Sequence, residues 1–156
     1  MKEQTILVSV PVIFRKDENK VRWFIVRKHE DEAWELPKVV VRKVESSVRA
    51  SIRSISEQGG MRAQVYEEVG RKSGAAKVNG QAITQNIIYY LMGYKGGSEE
   101  VLEFTDSDWL EYSKAVKRLE NKKDQAILKD ALEMYKALNK AGRFDVKEEE
   151  ELLPEE

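Results

Sequence analysis

The sequence contains no cysteine, a single histidine and only three prolines among its 156 residues. Without cysteine the chain has no disulfide, no thiolate metal site and no cysteine nucleophile. A lone His29 and the lack of a Gly-x-Ser-x-Gly motif argue against a nucleophilic triad. No apolar run approaches the roughly 20 residues that a membrane-spanning helix needs. These absences exclude several enzyme classes and predict that no part of the chain spans a membrane.

Two phosphate-binding motifs are also missing. The sequence contains neither Gly-x-Gly-x-x-Gly nor Gly-x-x-x-x-Gly-Lys-Ser/Thr, so dinucleotide-binding and P-loop folds are not indicated. The opening residues MKEQT lack the apolar core of a signal peptide. We therefore expect a cytoplasmic protein.

The composition favours a single globular domain followed by an acidic tail. Hydrophobic residues make up 41% of the chain and charged residues 35%. Residues 144–156 contain seven acids and one base, so this stretch carries −6 while the remaining 143 residues carry about +5. We expect a domain over 1–143 and a flexible tail over 144–156. The tail is either a solvated terminus, a mimic of nucleic acid or a flap over the basic body.

The hydrophobic pattern predicts strands near the N-terminus and in the middle of the chain. Alternating β-branched residues predict strands over 5–15 and 21–28, joined by a polar turn, with Pro11 indicating an edge position or a bulge. Further strands are predicted over 61–69 and 84–94, and a short one over 100–104. Loops are predicted over 70–80 and 93–98.

Three helices are predicted between and after these strands. Val44, Val48, Ile52 and Ile55 form an apolar stripe at helical spacing, and Gly59-Gly60 is a typical helix end. Two more helices are predicted over 112–119 and 124–138. Strands flanked by helices in this order favour a three-layer α/β sandwich.

The segment between Trp34 and Met61 carries a recognisable pattern. It reads WELPK followed by VVVRKVESSVRASIRSISEQGGM. This pattern resembles the Nudix box, whose consensus is Gly, five residues, Glu, seven residues, then Arg-Glu-hydrophobic-x-Glu-Glu-x-Gly-hydrophobic. The positions that match at every required spacing are Glu45, Arg53, Ile55, Glu57, Gly60 and Met61. The late strand and the later Trp-Leu-x-x-x-x-Ala run are most similar to the diadenosine-tetraphosphate hydrolase branch of the Nudix superfamily.

The resemblance implies a fold, a reaction and a metal. It implies a Nudix-type α/β/α sandwich with a mixed β-sheet and flanking helices. Members of the superfamily hydrolyse a nucleoside diphosphate linked to another group, using Mg²⁺ held between helix carboxylates and the pyrophosphate. By resemblance, Arg53 orients the carboxylates, and Glu57 is a metal ligand and catalytic residue. Glu103 matches the late Glu of the superfamily and is a further candidate for both roles.

The box departs from the consensus at three positions. Val39 replaces the opening Gly, Ser54 replaces the Glu after the Arg, and Gln58 replaces the last Glu. Ser54 and Gln58 offer neutral oxygens to a metal ion but no charge. Residues 38–58 carry five bases and two acids, a net charge of +3. We therefore expect Mg²⁺ binding to be weak or absent and the site to favour anions, with Lys38, Arg42 and Arg49 as candidate phosphate contacts.

Three functions remain open at the sequence level. The first is a Nudix protein that binds a nucleotide or dinucleoside polyphosphate and whose hydrolysis is weak or lost. The second is an active Mg²⁺-dependent pyrophosphohydrolase using Glu57 and Glu103. The third is a module that binds RNA or a protein through the basic body, with access controlled by the tail. A homodimer paired through strand 5–15 is a further expectation.

Overall fold

The structure, a computed structural model, describes residues 4–97 and 106–144. In this part of the chain a six-stranded mixed sheet carries helices on both faces. The elements are β1 (Gln4–Asp17), β2 (Lys20–Arg27), β3 (Val39–Val40), α1 (Ser47–Gly59), β4 (Met61–Val78), β5 (Gln81–Gly97), β6 (Asp106–Glu111), α2 (Tyr112–Arg118) and α3 (Lys122–Lys140). The predicted α/β/α sandwich is confirmed.

The first strand lies inside the sheet and not at its edge. The strand order is β4-β5-β1-β2-β6, with β3 also paired to β1, and β1 runs parallel to β5. The expectation that Pro11 marks an edge is therefore wrong. On the other side of β1, β3 pairs at Val8 and Ser9 and the β2 ladder begins at Phe14. Pro11 lies in this gap between two ladders, where its missing N–H is tolerated.

The inner position of β1 also bears on the expected homodimer. Strand β5 pairs with β1 from Gln4 to Phe14, and β3 and β2 occupy much of its other side. Pairing of this strand across a dimer is therefore not supported, because most of its backbone groups already have partners.

The middle of the chain forms a long hairpin where the sequence pattern indicated a loop. The predicted loop over 70–80 is wrong, since β4 continues to Val78 and turns back through Asn79 and Gly80. Both turn residues have positive φ, of 52° and 80°, as the Asn-Gly pair of a two-residue hairpin turn requires. The loop predicted from residue 93 is also wrong, because β5 extends to Gly97. Strand β6 was not predicted.

Helix α1 begins later, and buries a different face, than the apolar stripe predicts. Ser46 caps its N-terminus by accepting a hydrogen bond from the Arg49 N–H. Val44 lies before the helix and is fully exposed, and Ile52 is 43% exposed. The buried residues are Ala50, Ser51, Ser54, Ile55 and Gly59. The predicted end is confirmed, because Gly60 caps the helix in the left-handed conformation.

The two faces of the sheet carry separate hydrophobic clusters. Beneath α1, Ile55 packs with residues of the neighbouring strands, among them Ile13, Phe24 and Met92. The opposite face packs against α2 and α3. Phe144, the first residue of the predicted tail, is buried there and stacks on Tyr135. The sheet is therefore covered on both sides, as the three-layer prediction requires.

Some predictions fall on residues that the structure does not describe. Glu103, the strand expected over 100–104 and tail residues 145–156 all lie outside the described ranges. Within those ranges, no helix has the length and apolar character that crossing a membrane would require.

The junction of α1 and β4 is held closely against the end of β5. Gly97 has φ of +146° and pairs with Met61, and a Cβ at this position would lie 2.2 Å from the Gly60 carbonyl oxygen. We expect Gly97→Ala to lower the free energy of unfolding by about 2–4 kcal/mol through overpacking and backbone strain. Urea denaturation measures the change.

Gly70→Ala is the matched control in the same hairpin. A Cβ there would make an ordinary 3.5 Å contact with Ile127. Gly70→Ala should change the free energy of unfolding by no more than about 0.5 kcal/mol. Equal losses in the two variants would contradict the close approach at Gly97.

Candidate functional site

The box residues form the loop before α1 and the helix itself, and one ion pair joins them. Arg53 on α1 donates two hydrogen bonds to Glu45, from Nε at 2.7 Å and from Nη2 at 2.9 Å. Its Nη2 also donates to the Val40 carbonyl oxygen at 3.3 Å. The side chains of Arg53 and Glu45 are only 17% and 13% exposed. Arg53 therefore ties the preceding loop to the helix.

Glu45 lies in the loop before the helix and accepts hydrogen bonds from both the loop and the helix. Its Oε1 also accepts the backbone N–H of Arg42 at 3.0 Å. The hydrogen bonds from Arg53, followed by that from Arg42, lower the pKa of Glu45 to about 2. The carboxylate thus remains ionised over most of the pH range.

The three positions that correspond to metal-binding carboxylates have different surroundings. Ser54 is buried, and its hydroxyl donates to the Ser51 carbonyl oxygen at 2.9 Å. Glu57 has a side chain that is 57% exposed, and its carboxylate lies 3.7 Å from Arg53. Gln58 is half-buried. Only one of the three side chains is an anion, and it lies beside a guanidinium.

This donor set does not fit a magnesium site of several carboxylates. Over residues 4–97 and 106–144, no three acidic or histidine side chains lie close enough together to hold a metal ion. Mg²⁺ prefers hard anionic oxygens in a near-octahedral arrangement. Ser54 is buried and its hydroxyl donates inside the helix, and a neutral hydroxyl brings no charge to a metal ion. Glu103 lies outside the described residues and is not placed by the structure.

Lys38, a candidate phosphate contact, lies in a different network. Its Nζ is 3.1 Å from Oδ2 of Asp124 on α3 and 3.1 Å from Oε1 of Glu35. Asp124 is fully buried and also accepts the Leu36 N–H at 3.1 Å. Burial and, secondarily, the charge of Asp124 raise the pKa of Tyr89. The Lys38 ammonium is therefore held by two carboxylates, and Asp124 fastens the segment before the box to α3.

Sequence reasoning missed Asp124, although a signal was present. Asn121 caps α3 by accepting the backbone N–H groups of Lys123 and Asp124. An N-cap residue followed three positions later by an acid is typical of a helix start. The spacing of Asn121 and Asp124 therefore indicates the α3 N-terminus, but it does not reveal that the acid reaches the segment 35–38.

Arg42 and Arg49, the other two candidate phosphate contacts, are exposed beside the start of α1. The first turn of α1 contains no acidic residue. The N-terminus of a helix carries a partial positive charge, which an acid in the first turn would offset. The surface around the first turn of α1 is therefore suited to an anion.

Three aromatic residues near the box, Trp34, Tyr89 and Tyr90, are engaged in packing or hydrogen bonding. Arg27 and Arg118 lie over the ring of Trp34 at 5.1 and 5.2 Å from its centre. Tyr89 is 1% exposed. The hydroxyl of Tyr90 forms a short hydrogen bond with that of Ser47 on α1. We therefore assign Trp34 and Tyr89 to packing and Tyr90 to holding the helix on the sheet.

The low pKa of Glu45 predicts how stability depends on pH. The folded-state pKa, about 2, lies below the ordinary value of 4.5. The stabilisation by Glu45 is therefore complete above about pH 4.5 and is lost as the pH falls towards 2. We expect Glu45→Gln to lower the urea midpoint at pH 7, and the difference from the wild type to vanish near pH 2.

Glu57→Gln is the control, because Glu57 is more exposed and lies farther from the same arginine. It should change the midpoint little at either pH. If the difference in urea midpoint between Glu45→Gln and the wild type stayed constant from pH 7 to pH 2, the ionised pair would not stabilise the fold.

The Asp124 contacts predict a large loss of stability on neutralisation. Asp124→Asn leaves the Lys38 ammonium without its buried partner, and we expect the free energy of unfolding to fall by about 2–3 kcal/mol. Asp130→Asn, on the exposed side of α3, should stay within about 0.5 kcal/mol. Thermal and urea denaturation measure both. If the two variants lost the same free energy of unfolding, the contacts of Asp124 would not be what holds residues 36–38 to α3.

Comparison with known proteins gives one match by sequence and many by structure. No protein-family model matches the chain. Over 111 residues, which are 70% of the chain, it is 27% identical to the MutT4 protein of Mycobacterium tuberculosis (strain CDC 1551 / Oshkosh). The match covers 45% of that protein, so the chain spans about half the length of this relative.

Solved structures share the fold at low sequence identity. An Ap4A hydrolase of C. elegans in a binary complex has a TM-score of 0.68 at 18% identity, covering 85% of this chain and 98% of that one. A Nudix hydrolase from Nitrosomonas europaea has a TM-score of 0.66 at 12% identity, covering 81% and 88%. The Nudix domain of Shewanella oneidensis NrtR, complexed with ADP ribose, has a TM-score of 0.61 at 15% identity, covering 86% and 90%. The chain therefore has the fold of these Nudix proteins, and the resemblance is confirmed at the level of the fold.

Proposed function

We propose that this protein binds a ligand linked to a nucleoside diphosphate, of the nucleotide or dinucleoside polyphosphate type, and hydrolyses it weakly or not at all. In this proposal the protein acts in the cytoplasm. The observation that carries the proposal is the state of the box. Ser54 is buried with its hydroxyl bonded inside α1, and Glu57 is left as the only anion among the three expected ligand positions.

The metal is the weak component of the site. A bound Mg²⁺ would neutralise the pyrophosphate and polarise the phosphorus for attack by water. Glu57 and Gln58 would be its nearest donors on α1, but a single carboxylate beside Arg53 holds a divalent cation poorly. We therefore expect Mg²⁺ binding to be weak or absent, and the proposed binding of phosphates does not depend on it.

The charges of the loop and of the first turn of α1 favour phosphate. Arg42 and Arg49 are exposed around an α1 N-terminus that has no acid in its first turn. Backbone N–H groups and the helix dipole at such an end attract anions, and guanidinium groups pair with phosphate oxygens in bidentate fashion. The ion pairs of Lys38 with Asp124 and Glu35 suit it to holding the loop. We therefore assign the phosphate contacts to Arg42 and Arg49.

Proteins of the same fold support the type of ligand. The NrtR Nudix domain was crystallised with ADP ribose, and the C. elegans protein is an Ap4A hydrolase. Both ligands contain adenosine joined to a chain of phosphates. Transferred to this chain, they make adenosine diphosphate derivatives the first probes to use.

The proposal predicts binding without turnover. Calorimetry should detect ADP ribose or diadenosine tetraphosphate binding both with and without Mg²⁺, while chromatography should detect little or no release of nucleoside monophosphate. Replacing Arg42 and Arg49 together by Ala should weaken binding about tenfold or more, because two charged contacts are lost. Lys114→Ala with Lys117→Ala, on the exposed side of α2, is the matched control and should not change binding.

The two alternatives give opposite results in the same panel. Robust Mg²⁺-dependent turnover that Glu57→Gln abolishes would replace the proposal with an active pyrophosphohydrolase. Salt-sensitive binding of an RNA oligonucleotide, with no binding of either nucleotide, would replace it with an interaction module.

A gain-of-function pair tests the explanation for the lost hydrolysis. Ser54→Glu combined with Gln58→Glu restores two carboxylates, so Mg²⁺ affinity measured by calorimetry should rise at least tenfold. Gln58→Glu alone is the control that disturbs the fold less, because Gln58 is half-buried whereas a carboxylate at position 54 would be buried. Unchanged Mg²⁺ affinity in a correctly folded double variant would show that the missing charges are not the cause.

A further inference from the structure

A cavity of about 370 Å³ lies against the sheet, and most of the residues that line it belong to the face that carries α1. Its lining comes from β1, β4 and β5 and comprises Leu7, Arg71, Lys72, Ser73, Asn86, Ile87 and Ile88. The volume falls within the range of small-molecule sites, which combine an apolar lining with a few polar groups. None of these residues belongs to the box.

The strand register shows which side chains share this face. Leu7 pairs with Asn86, and Asn86 pairs with Ser73, so these three residues form one row across the sheet. The next row on the same face contains Ser9 and Ile88. Leu7 is 37% exposed although it lies on an inner strand, because α1 does not extend over it. The cavity is therefore the uncovered part of the α1 face.

The cavity adjoins the surface proposed to hold phosphate. The Ser9 hydroxyl donates to the Ser47 carbonyl oxygen at 2.7 Å, so the second row touches the first turn of α1. Successive residues on one face of a strand are separated by about 7 Å. The Leu7 carbonyl oxygen also accepts the Val41 N–H at 2.9 Å, which places the cavity wall next to Arg42. A ligand in the cavity is thus about one row away from the helix N-terminus.

Asn86 gives the cavity an amide group that can hydrogen-bond to the edge of a planar ligand. Its side chain is exposed, and its Oδ1 accepts the Ser73 hydroxyl at 3.3 Å. That contact fixes the oxygen and leaves the two amide N–H groups directed away from it. Planar heterocycles present acceptors along one edge and apolar faces, and an amide is well suited to bind such an edge. Arg71 is already paired with Glu68, so the polar recognition falls mainly to Asn86.

We propose that this cavity binds the nucleobase of the ligand, with Leu7 and Ile88 against the ring and the Asn86 amide donating to its edge. The phosphates then lie at the start of α1, near Arg42 and Arg49. This inference rests on the proposed nucleotide binding and adds the position and mode of base recognition. Asn86 is a specificity-determining residue in this arrangement.

The experiment separates the base from the phosphates by using two probes. ADP carries both groups, whereas inorganic pyrophosphate carries only the phosphates, and calorimetry measures each dissociation constant. The pyrophosphate dissociation constant divided by the ADP dissociation constant reports how much the nucleoside contributes to binding. We expect Asn86→Ala and Asn86→Asp to reduce this ratio about five- to tenfold while pyrophosphate affinity changes less than twofold. Asn86→Asp keeps the side-chain size and the Ser73 contact but replaces the amide donors by a carboxylate, and its pyrophosphate dissociation constant reports the effect of the added charge.

A matched control and the arginine variant complete the design. Asn139→Ala, exposed on α3, should leave both constants unchanged. Replacing Arg42 and Arg49 should weaken ADP and pyrophosphate equally, so that the ratio is preserved. If the Asn86 variants leave the ratio unchanged while the arginine variant weakens both probes, the cavity is not the base site and the proposed function stands. If neither probe binds the wild-type protein, both inferences fall.

Discussion

The pairing of Arg53 with Glu45 is the interaction on which the rest of the site depends. It joins the loop before α1 to the middle of that helix, and Glu45 simultaneously accepts the Arg42 backbone N–H. The loop is thereby fixed around two charged groups that are largely shielded from water. Both residues match the Nudix consensus, whereas Ser54 and Gln58 stand where that consensus has Glu.

A second attachment holds the other end of the same segment. Asp124 on α3 binds the Leu36 N–H and the Lys38 ammonium, so residues 36–38 are fixed to one layer of the sandwich. Residues 39–41 then pair with β1, and the Arg53–Glu45 pair joins the loop to the other layer. A buried ion pair stabilises little in itself but strongly disfavours alternative positions of the groups it holds. The segment therefore spans both layers with a defined backbone.

The charge balance explains why binding is proposed and hydrolysis is not. Catalysis through a divalent cation needs several anionic oxygens at one point, whereas phosphate binding needs N–H groups and positive charge. With Ser54 and Gln58 where the consensus has Glu, the second half of α1 offers one carboxylate from Glu57, whereas the exposed Arg42 and Arg49 lie at the other end of the helix. Helix α1 also lies on the sheet through hydroxyl groups, with the oxygens of Ser9 and Ser51 2.6 Å apart. The helix covers only part of its face, and the cavity begins in the row of the sheet next to the one that contacts its first turn.

Local sequence determined several features of this protein. The Gly59-Gly60 end of α1 and the helices after residue 111 follow from short-range patterns that the structure confirms. The first two strands were also placed to within about two residues. Turns and caps depend on the conformations open to a few neighbouring residues, so the sequence alone specifies them.

Other features were decided only by the tertiary structure, because they depend on groups distant in the chain. The apolar stripe of Val44, Val48 and Ile52 indicated a helix face, yet α1 buries Ala50 and Ser51, and the Ser51 hydroxyl pairs with that of Ser9 on the sheet. Pro11 indicated an edge, but an inner gap between two ladders accommodates it equally well. The contact of Lys38 with Asp124 joins residues 86 positions apart. No local pattern encodes such a contact, since it forms only when the layers pack.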